Sequence, residues 1–329
     1  MKLIVQIPCY NEEETLAQTV ADIPREIDGV DEVEILSIDD GSSDRTVEVA
    51  REIGVDHIVR HKKNKGLGRA FRNGIDACLL AGADIIVNTD GDNQYCGADI
   101  GKLIEPILKN QVDIVVGDRQ LARLPHLSYH RKFLQWLGST VVRMFAGVQV
   151  PDAVSGFRAI NRDAALRINI VSLFSYTIEM LVQAGKKQIA VTSVPVRTNP
   201  KARESRLFNS IPRFIERSLT TMVRVYAMYQ PLRAFFYLAT ILTVIGLIPI
   251  IRFLYFYFAE GGAGHIQSLV LGGVILLMGF VAYLIGMVSD LISFNRQLIE
   301  LTLEKVRQIE LEQHRERLES GKQADNPSK

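Results

Sequence analysis

The sequence predicts an α/β fold, with a Rossmann-like and mostly parallel sheet, followed by two transmembrane helices. Three observations predict it. Short β-rich runs alternate with helical runs through residues 1–120. A polar cluster follows the end of each major β-rich run. Two long uncharged apolar runs lie beyond residue 233. Strands alternating with helices imply a parallel sheet covered on both faces. Ligands of such sheets bind beyond the carboxyl ends of the strands.

Lys2–Ile7 is a strand-like run ending at Pro8. Glu12–Ile23 has a helical pattern, with Asn11 as N-cap. Val33–Ile38 is a second β-rich run, closed by Asp39-Asp40-Gly41-Ser42. Thr46–Ile53 reads as helix, His57–Arg60 as a short strand and Gly68–Ala81 as helix. Asp84–Thr89 is an apolar strand ending at Asp90; Ile100–Lys109 reads as helix and Asp113–Gly117 as strand. Tyr10–Glu14, Asp39–Ser43, Asp90–Gln94 and Asp118–Arg119 all follow strand ends, so scattered segments converge on one site.

The second half differs in composition. Arg197–Arg233 holds eight Lys/Arg and two acids, a net of +6. Ala234–Ile251 is uncharged over eighteen residues, continued after Arg252 by the aromatic run Phe253–Phe258. After a tight Glu260–His265 loop, Ile266–Ser289 gives twenty-four more residues without charge. A bilayer core takes about 20 apolar residues per helix, so both runs qualify, against the alternative of two buried core helices. No Lys or Arg lies between Phe253 and Asn295. The positive-inside rule then puts both chain ends in the cytoplasm and the short loop outside. The expected organisation is a catalytic domain over 1–210, a basic juxtamembrane amphipathic segment over 211–232, a transmembrane hairpin over 233–292 and a charged cytoplasmic tail over 293–329. Gly272-Gly273 and Gly279 suit close packing of spans and allow a homo-oligomer.

Bulk properties exclude several classes. Thirty-eight Lys/Arg against thirty-seven acids give no polyanion-binding surplus, so nucleic acid is not a partner. Cys9, Cys78 and Cys96 are too scattered for a disulfide framework or a zinc site. The opening MKLIVQIPCYNEEE is too short in apolar length for a signal peptide.

Asp90-Gly91-Asp92 carries the most chemistry. On extended chain, residues i and i+2 point the same way, so the two carboxylates converge. A hard divalent cation, Mg²⁺ or Mn²⁺, relieves their repulsion and can take further oxygens from a diphosphate. Gly91 lets a ligand approach the backbone. Alone, the motif is weak evidence and reads more readily as a solvated turn; its company decides. Pro8-Cys9-Tyr10-Asn11-Glu12-Glu13, Asp39-Asp40-Gly41-Ser42-Ser43-Asp44 and Asn64-Lys65-Gly66-Leu67-Gly68 accompany it. In this order they resemble the nucleotide-binding half of inverting family-two glycosyltransferases of GT-A fold. Asp152–Arg158 and Arg203-Glu204-Ser205-Arg206 extend the likeness to dolichyl-phosphate mannose synthase and bacterial polyprenyl-phosphate glycosyltransferases.

The resemblance implies that Pro8, Tyr10 and Glu12 line a nucleoside pocket, with Asp39 near base or ribose and Lys65 in the neighbouring turn. It implies that Asp90, Asp92 and Gln94 hold metal and diphosphate around Gly91. Arg119 faces a phosphate. Arg131, Lys201, Arg203 and Arg206 hold the lipid phosphate or the leaving diphosphate. Asp152 is either catalytic or a polar turn residue after Pro151. The implied reaction moves a sugar from a UDP- or GDP-linked donor to a polyprenyl phosphate at the bilayer, with inversion at C1. This sequence departs from the pattern at Arg203 and Arg206, where many relatives have glycine and lysine. It also departs at Asn93-Gln94-Tyr95-Cys96, which lacks the usual prolines. Two rival readings are a processive polysaccharide synthase, disfavoured by two spans and a lone Trp136 outside any Q-x-x-R-W motif, and a scaffold with a decayed transferase domain.

Overall fold

The computed structural model describes residues 1–120, 143, 146–171, 176–200, 231–260 and 265–324. The chain forms two compact units, one of residues 1–222 with 303–329 and one of 223–302.

The first unit is built on a seven-stranded sheet in the order β3-β2-β1-β4-β6-β5-β7. Its strands are β1 (Lys2–Cys9), β2 (Glu32–Asp39), β3 (His57–Arg60), β4 (Ile85–Asn88), β5 (Ile114–Asp118), β6 (Arg158–Asn161) and β7 (Val191–Pro195). β1 pairs in parallel with both β2 and β4. β6 runs antiparallel between β4 and β5, which makes the sheet mixed. From β1 the chain winds outward to β2 and β3, then returns to β4 on the other side. The crevice beyond β1 and β4 is therefore a topological switch point, where open α/β sheets bind ligands.

The helices of this unit are α1 (Leu16–Ala21), α2 (Thr46–Glu52), α3 (Leu67–Leu80), α4 (Ile100–Leu108), α5 (Arg162–Arg167) and α6 (Tyr176–Lys186). Leu3, Val5, Ile7, Ile35, Val87 and Val115 are fully buried or nearly so and pack with Leu16, Ile100, Leu103 and Ile104 of α1 and α4. These continuous apolar strands are what a sheet buried on both faces requires.

Three expectations shift. β1 does not stop before Pro8 but runs through Cys9. Even-numbered residues of β1 face β4, as the bond from the Thr89 N–H to the Gln6 carbonyl shows. The β4 pairing ends at Gln6–Asn88. Pro8 therefore lacks its N–H where no ladder bond is needed. The helix expected from Glu12 begins only at Leu16, and Asn11 is no N-cap: it adopts φ +56°. Its side chain instead accepts from the Ser43 N–H at 2.9 Å and its own N–H donates to Ser42 Oγ at 2.9 Å. The apolar run ends at Asn88, so Asp90-Gly91-Asp92 is a turn rather than extended chain.

Two helices follow, α7 (Pro231–Glu260) and α8 (Ile266–Ala324), each long and apolar enough to cross a membrane. Their exposed residues are largely apolar, including Ile248, Ile251, Leu277 and Met287, the inverse of a soluble helix. They pack on each other through small residues. A Cβ on Gly279 would lie 2.8 Å from Thr243 Oγ1, and one on Gly246 2.9 Å from the Leu276 nitrogen. Thr240 and Tyr283 share a hydrogen bond of 2.9 Å. Gly272 and Gly279 are thus consumed within the chain, while Gly273 meets nothing within 4 Å. Exposed Arg252 lies with its guanidinium carbon 5.8 Å from the Phe256 ring centroid.

The charged stretch expected as a tail from 293 is helical. α8 continues unbroken to Ala324, since neither proline nor glycine interrupts 287–320. Its residues from 303 belong to the α/β unit. There Arg307 pairs with Asp76 of α3 at 3.1 Å and donates to the carbonyls of Leu166 and Ile168 at the end of α5.

Candidate active site

The site is assembled at the carboxyl ends of β1, β2 and β4. The Asp90–Asp92 turn is fixed by α1: Thr15 and Thr19 hydroxyls both donate to the Gly91 carbonyl, at 2.7 and 3.2 Å. A Cβ at Gly91 would lie 3.3 Å from both Cys9 Sγ and Glu12 Cγ, so the turn lies close against the end of β1. The Gln94 N–H donates to Asp92 Oδ1 at 3.1 Å.

Asp90 rests on a second motif. A Cβ built on Gly156 would come within 2.9 Å of both Asp90 carboxyl oxygens and 3.1 Å of the Tyr176 hydroxyl. The glycine of Ser155-Gly156-Phe157-Arg158 therefore makes room for the Asp90 carboxylate. Burial, reinforced by the neighbouring charge of Asp92, pushes the Asp90 carboxyl up to about 7. An acid so placed gains from a cation that offsets both effects. Among the described residues no group of three His, Cys, Asp or Glu could hold a metal. Two carboxylates fit a hard cation that shares its other positions with a diphosphate.

The surrounding loop is held by buried polar groups. Arg158, fully buried, donates to the carbonyls of Ala153, Ser155 and Thr177, each at 2.8 Å. Asn88 donates to the Gly156 carbonyl and the Tyr176 hydroxyl, both at 2.8 Å. The Gly156 N–H donates to the Tyr95 hydroxyl at 2.9 Å. Arg119 makes a two-pronged pair with Asp152, Nε to Oδ2 at 2.7 Å and Nη2 to Oδ1 at 3.0 Å. Asp152 is thus a buried partner of Arg119, and those two guanidinium nitrogens are directed at it. Asp99 is buried and receives Arg197 and Lys102. Burial opposes its charge, but the Arg197 and Lys102 hydrogen bonds hold its carboxyl down at about 2.

On the β2 side, Asp39 is 1 % exposed. Its Oδ1 accepts from the Ser42 N–H at 2.9 Å. Its Oδ2 is buried without a hydrogen-bond partner, with Arg60 Nε 3.3 Å away. Tyr10 is exposed, and Glu12 Oε2 lies 2.9 Å from the Thr15 hydroxyl, competing with the Gly91 carbonyl for its one proton. Lys65 contributes its backbone, donating to Asp40 Oδ1 at 2.9 Å. Asp40 also accepts from Gly66 N–H at 2.8 Å and from His61 Nδ1 at 2.7 Å, closing the loop before α3.

The structure thus brings Pro8, Tyr10, Glu12, Asp39, Asp90, Gly91, Asp92 and Gln94 to neighbouring strand ends. Arg131, Lys201, Arg203 and Arg206 lie outside the described residues. Asp40, Asn88, Tyr95, Gly156, Arg158 and Tyr176 carry the frame without having been singled out. Asp40 and Gly156 stood inside recognised motifs. Asn88 and Tyr176 are 88 residues apart, and no local pattern joins them.

A mixed sheet of this order, with a paired-aspartate turn at its switch point, defines a GT-A-type glycosyltransferase domain. The model of Glycosyl transferase family 2 matches residues 4–168, half of the chain, and the chain belongs to that family. Similar proteins include the dolichol-phosphate mannosyltransferase of Pyrococcus furiosus, 33% identical over 63% of this chain and 59% of that protein. The undecaprenyl-phosphate mannosyltransferase of Micrococcus luteus is 26% identical over 60% of this chain and 83% of that protein. Among solved structures, glucosyl-3-phosphoglycerate synthase from Mycobacterium tuberculosis, in complex with Mn²⁺, UDP and glucosyl-3-phosphoglycerate, shares the fold. It has a TM-score of 0.52 at 19% identity and covers 67% of this chain and 79% of that one.

Proposed function

We propose that this glycosyltransferase moves a sugar from a nucleoside-diphosphate sugar onto a polyprenyl phosphate at a membrane surface. The observation that carries the reading is the Asp90–Asp92 pair at the switch point, two carboxylates side by side whose mutual repulsion helps to raise Asp90. The relatives named for undecaprenyl- and dolichol-phosphate acceptors supply the acceptor class, and two membrane-length helices suit a lipid acceptor.

Asp39 Oδ2, buried and without a hydrogen bond though 3.3 Å from Arg60 Nε, is an acceptor suited to an N–H of the base or a ribose hydroxyl. Asp90 and Asp92 would hold Mg²⁺ or Mn²⁺, which supplies charge neutralisation for the departing diphosphate. Solved neighbours contain Mn²⁺ or Mg²⁺ with UDP, and we read a UDP or GDP donor here. Asp152 orients the Arg119 guanidinium beside this cluster. The acceptor phosphate is already an anion at neutral pH. The chain therefore has to position two polyanions rather than supply a general base, and direct displacement inverts C1. Lys201, Arg203, Arg206 and Arg131 are the residues we assign to phosphate contact, on sequence alone. The Lys/Arg asymmetry supports a cytoplasmic catalytic unit and cytoplasmic termini.

The test is incubation of the purified full chain in lipid with a panel of nucleotide-sugars and undecaprenyl or dolichyl phosphate, read by mass spectrometry. One sugar added to the lipid phosphate is the expected product. A polymer, or no lipid-linked product with any donor, would overturn the reading.

A further inference from the structure

We propose that α8 carries a second interaction surface, a heptad seam that pairs two copies of this chain in parallel. The seam runs along Ile285, Val288, Ile292, Asn295, Ile299, Thr302, Val306, Ile309 and Gln313, spaced alternately by three and four residues. Every one of them is exposed. Seven-residue recurrence of apolar positions is the signature of helices wound about each other. Ile285, Ile292, Ile299 and Val306 fall at position a, where β-branched side chains suit a two-stranded pairing; Val288, Asn295, Thr302 and Ile309 fall at d.

Up to Ser289 this exposure has an ordinary explanation, because lipid covers apolar residues of a membrane-crossing helix. Beyond Arg296 it does not. Ile299, Val306 and Ile309 are 68%, 52% and 53% exposed, and Glu300, Glu304, Lys305, Arg307, Glu310 and Glu312 surround them. Nor are Val306 and Ile309 covered by the α/β unit to which they belong. The side of α8 that is partly buried presents Leu303, Glu304, Arg307, Gln308 and Leu311, with Arg307 making the contacts to Asp76, Leu166 and Ile168. Of those residues Leu303 borders the a/d stripe at e, whereas Glu304, Arg307, Gln308 and Leu311 fall at the outer positions f, b, c and f.

Charge identifies the occupant. In a parallel pair, position g of one helix meets position e of the next heptad on its partner. Here g and e are Lys305 with Glu310, and Glu312 with Arg317. Both pairs are opposite in sign, both recur by symmetry, and all four residues are exposed. Two copies of one chain enter a membrane in the same orientation, so only the parallel arrangement is open to them. The seam is thus complementary to itself in the one geometry the bilayer allows. Asn295 and Thr302 make the seam partly polar, which favours matched register over maximal stability.

The experiment uses the full chain in membrane vesicles, in a Cys96→Ser background; Cys9 and Cys78 are buried. Single cysteines are placed on the seam (Ile299→Cys, Val306→Cys, Ile309→Cys) and off it at exposed positions (Leu301→Cys, His314→Cys). After mild oxidation, disulfide-linked dimer is measured on non-reducing gels. Seam variants are expected to cross-link several-fold more than the off-seam pair. Lys305→Glu added to Val306→Cys should lower the yield several-fold, and Glu310→Lys added to that should restore it. Equal cross-linking at Leu301→Cys overturns the proposal. So does a seam that is shielded from a soluble maleimide yet never cross-links, which would mean that the stripe lies on lipid or on another protein. A Lys305→Glu effect that Glu310→Lys fails to reverse also overturns it, because misfolding and not charge pairing would then explain the loss.

Discussion

Two loops meet at the carboxyl edge of the sheet; one carries a buried acid, Asp152, and the other two half-buried ones, Asp90 and Asp92. In the 150–158 loop, Asp152 is matched by the fork of Arg119, and Arg158 spends its donors on three carbonyls. In the 90–92 turn, Asp90 sits beside Asp92 with no cation bonded to either among the described residues. A folded chain pairs the charges it buries unless something else is to pair them. The difference separates residues that hold the frame from residues that await a ligand. The arginine of the Ser155–Arg158 motif belongs to the frame, being fully buried.

The largest expected effect tests the frame side. Arg158→Met removes three buried hydrogen bonds, to the carbonyls of Ala153, Ser155 and Thr177, and breaking such a network costs about 3–5 kcal/mol. Denaturant unfolding of the detergent-solubilised protein measures it. A variant as stable as the parent would erase the distinction between the two loops. On the ligand side, Asp92→Asn should lower sugar transfer about 10²–10³-fold, on the scale of losing a stabiliser of transition-state charge. Stability should barely change, and chelation should mimic the loss; full turnover in excess chelator would remove the metal from the account.

Gly156→Ala joins the two sides. Its Cβ would press on the Asp90 oxygens at 2.9 Å and the Tyr176 hydroxyl at 3.1 Å, and overpacking of this kind costs about 1–3 kcal/mol. Divalent-ion affinity, measured by calorimetry, should fall with stability. An unchanged affinity would detach the glycine from the acid pair.

Titration sharpens the contrast further. Burial and Asp92 raise the Asp90 carboxyl to about 7, so between the unfolded carboxylate range and pH 7 the native state binds more protons. Stability of the metal-free protein should therefore fall as pH rises through that window, and Asp90→Asn should flatten the slope. Added Mg²⁺ should raise the melting temperature more at pH 8 than at pH 5. Asp99, held down at about 2, does the opposite: its contribution is complete above the unfolded carboxylate range and is lost as pH falls toward 2. A flat melting profile from pH 5 to 8 would show that Asp90 is already compensated. The smallest effect belongs to Arg307→Ala. Its ion pair with a part-exposed Asp76 and two carbonyl bonds amount to about 1–2 kcal/mol, and Arg307→Lys should recover part of the loss.

Strand order along the first 120 residues was legible because apolar runs buried on both faces are continuous and end in polar clusters. Asp39, Asp90 and Asp92 were legible for the same reason, since each follows a strand end. Helix starts were read less well. Asn11 and Glu12 resemble an N-cap and a first turn, yet their polar groups are spent on Ser42, Ser43, Thr15 and Thr46. That exchange depends on which strands are neighbours.

By itself, then, the sequence determined the alternation of strand and helix, the acids at the strand ends and the two membrane-length runs. All three follow from local periodicity and from hydrophobicity summed over a window. Only the tertiary structure decided that Asp152 belongs to Arg119 across 33 residues, that Gly156 is the floor under Asp90, and that Arg307 reaches back to α3. A buried charge takes its meaning from the group that compensates it, and that group is chosen by proximity in space, which no spacing along the chain encodes.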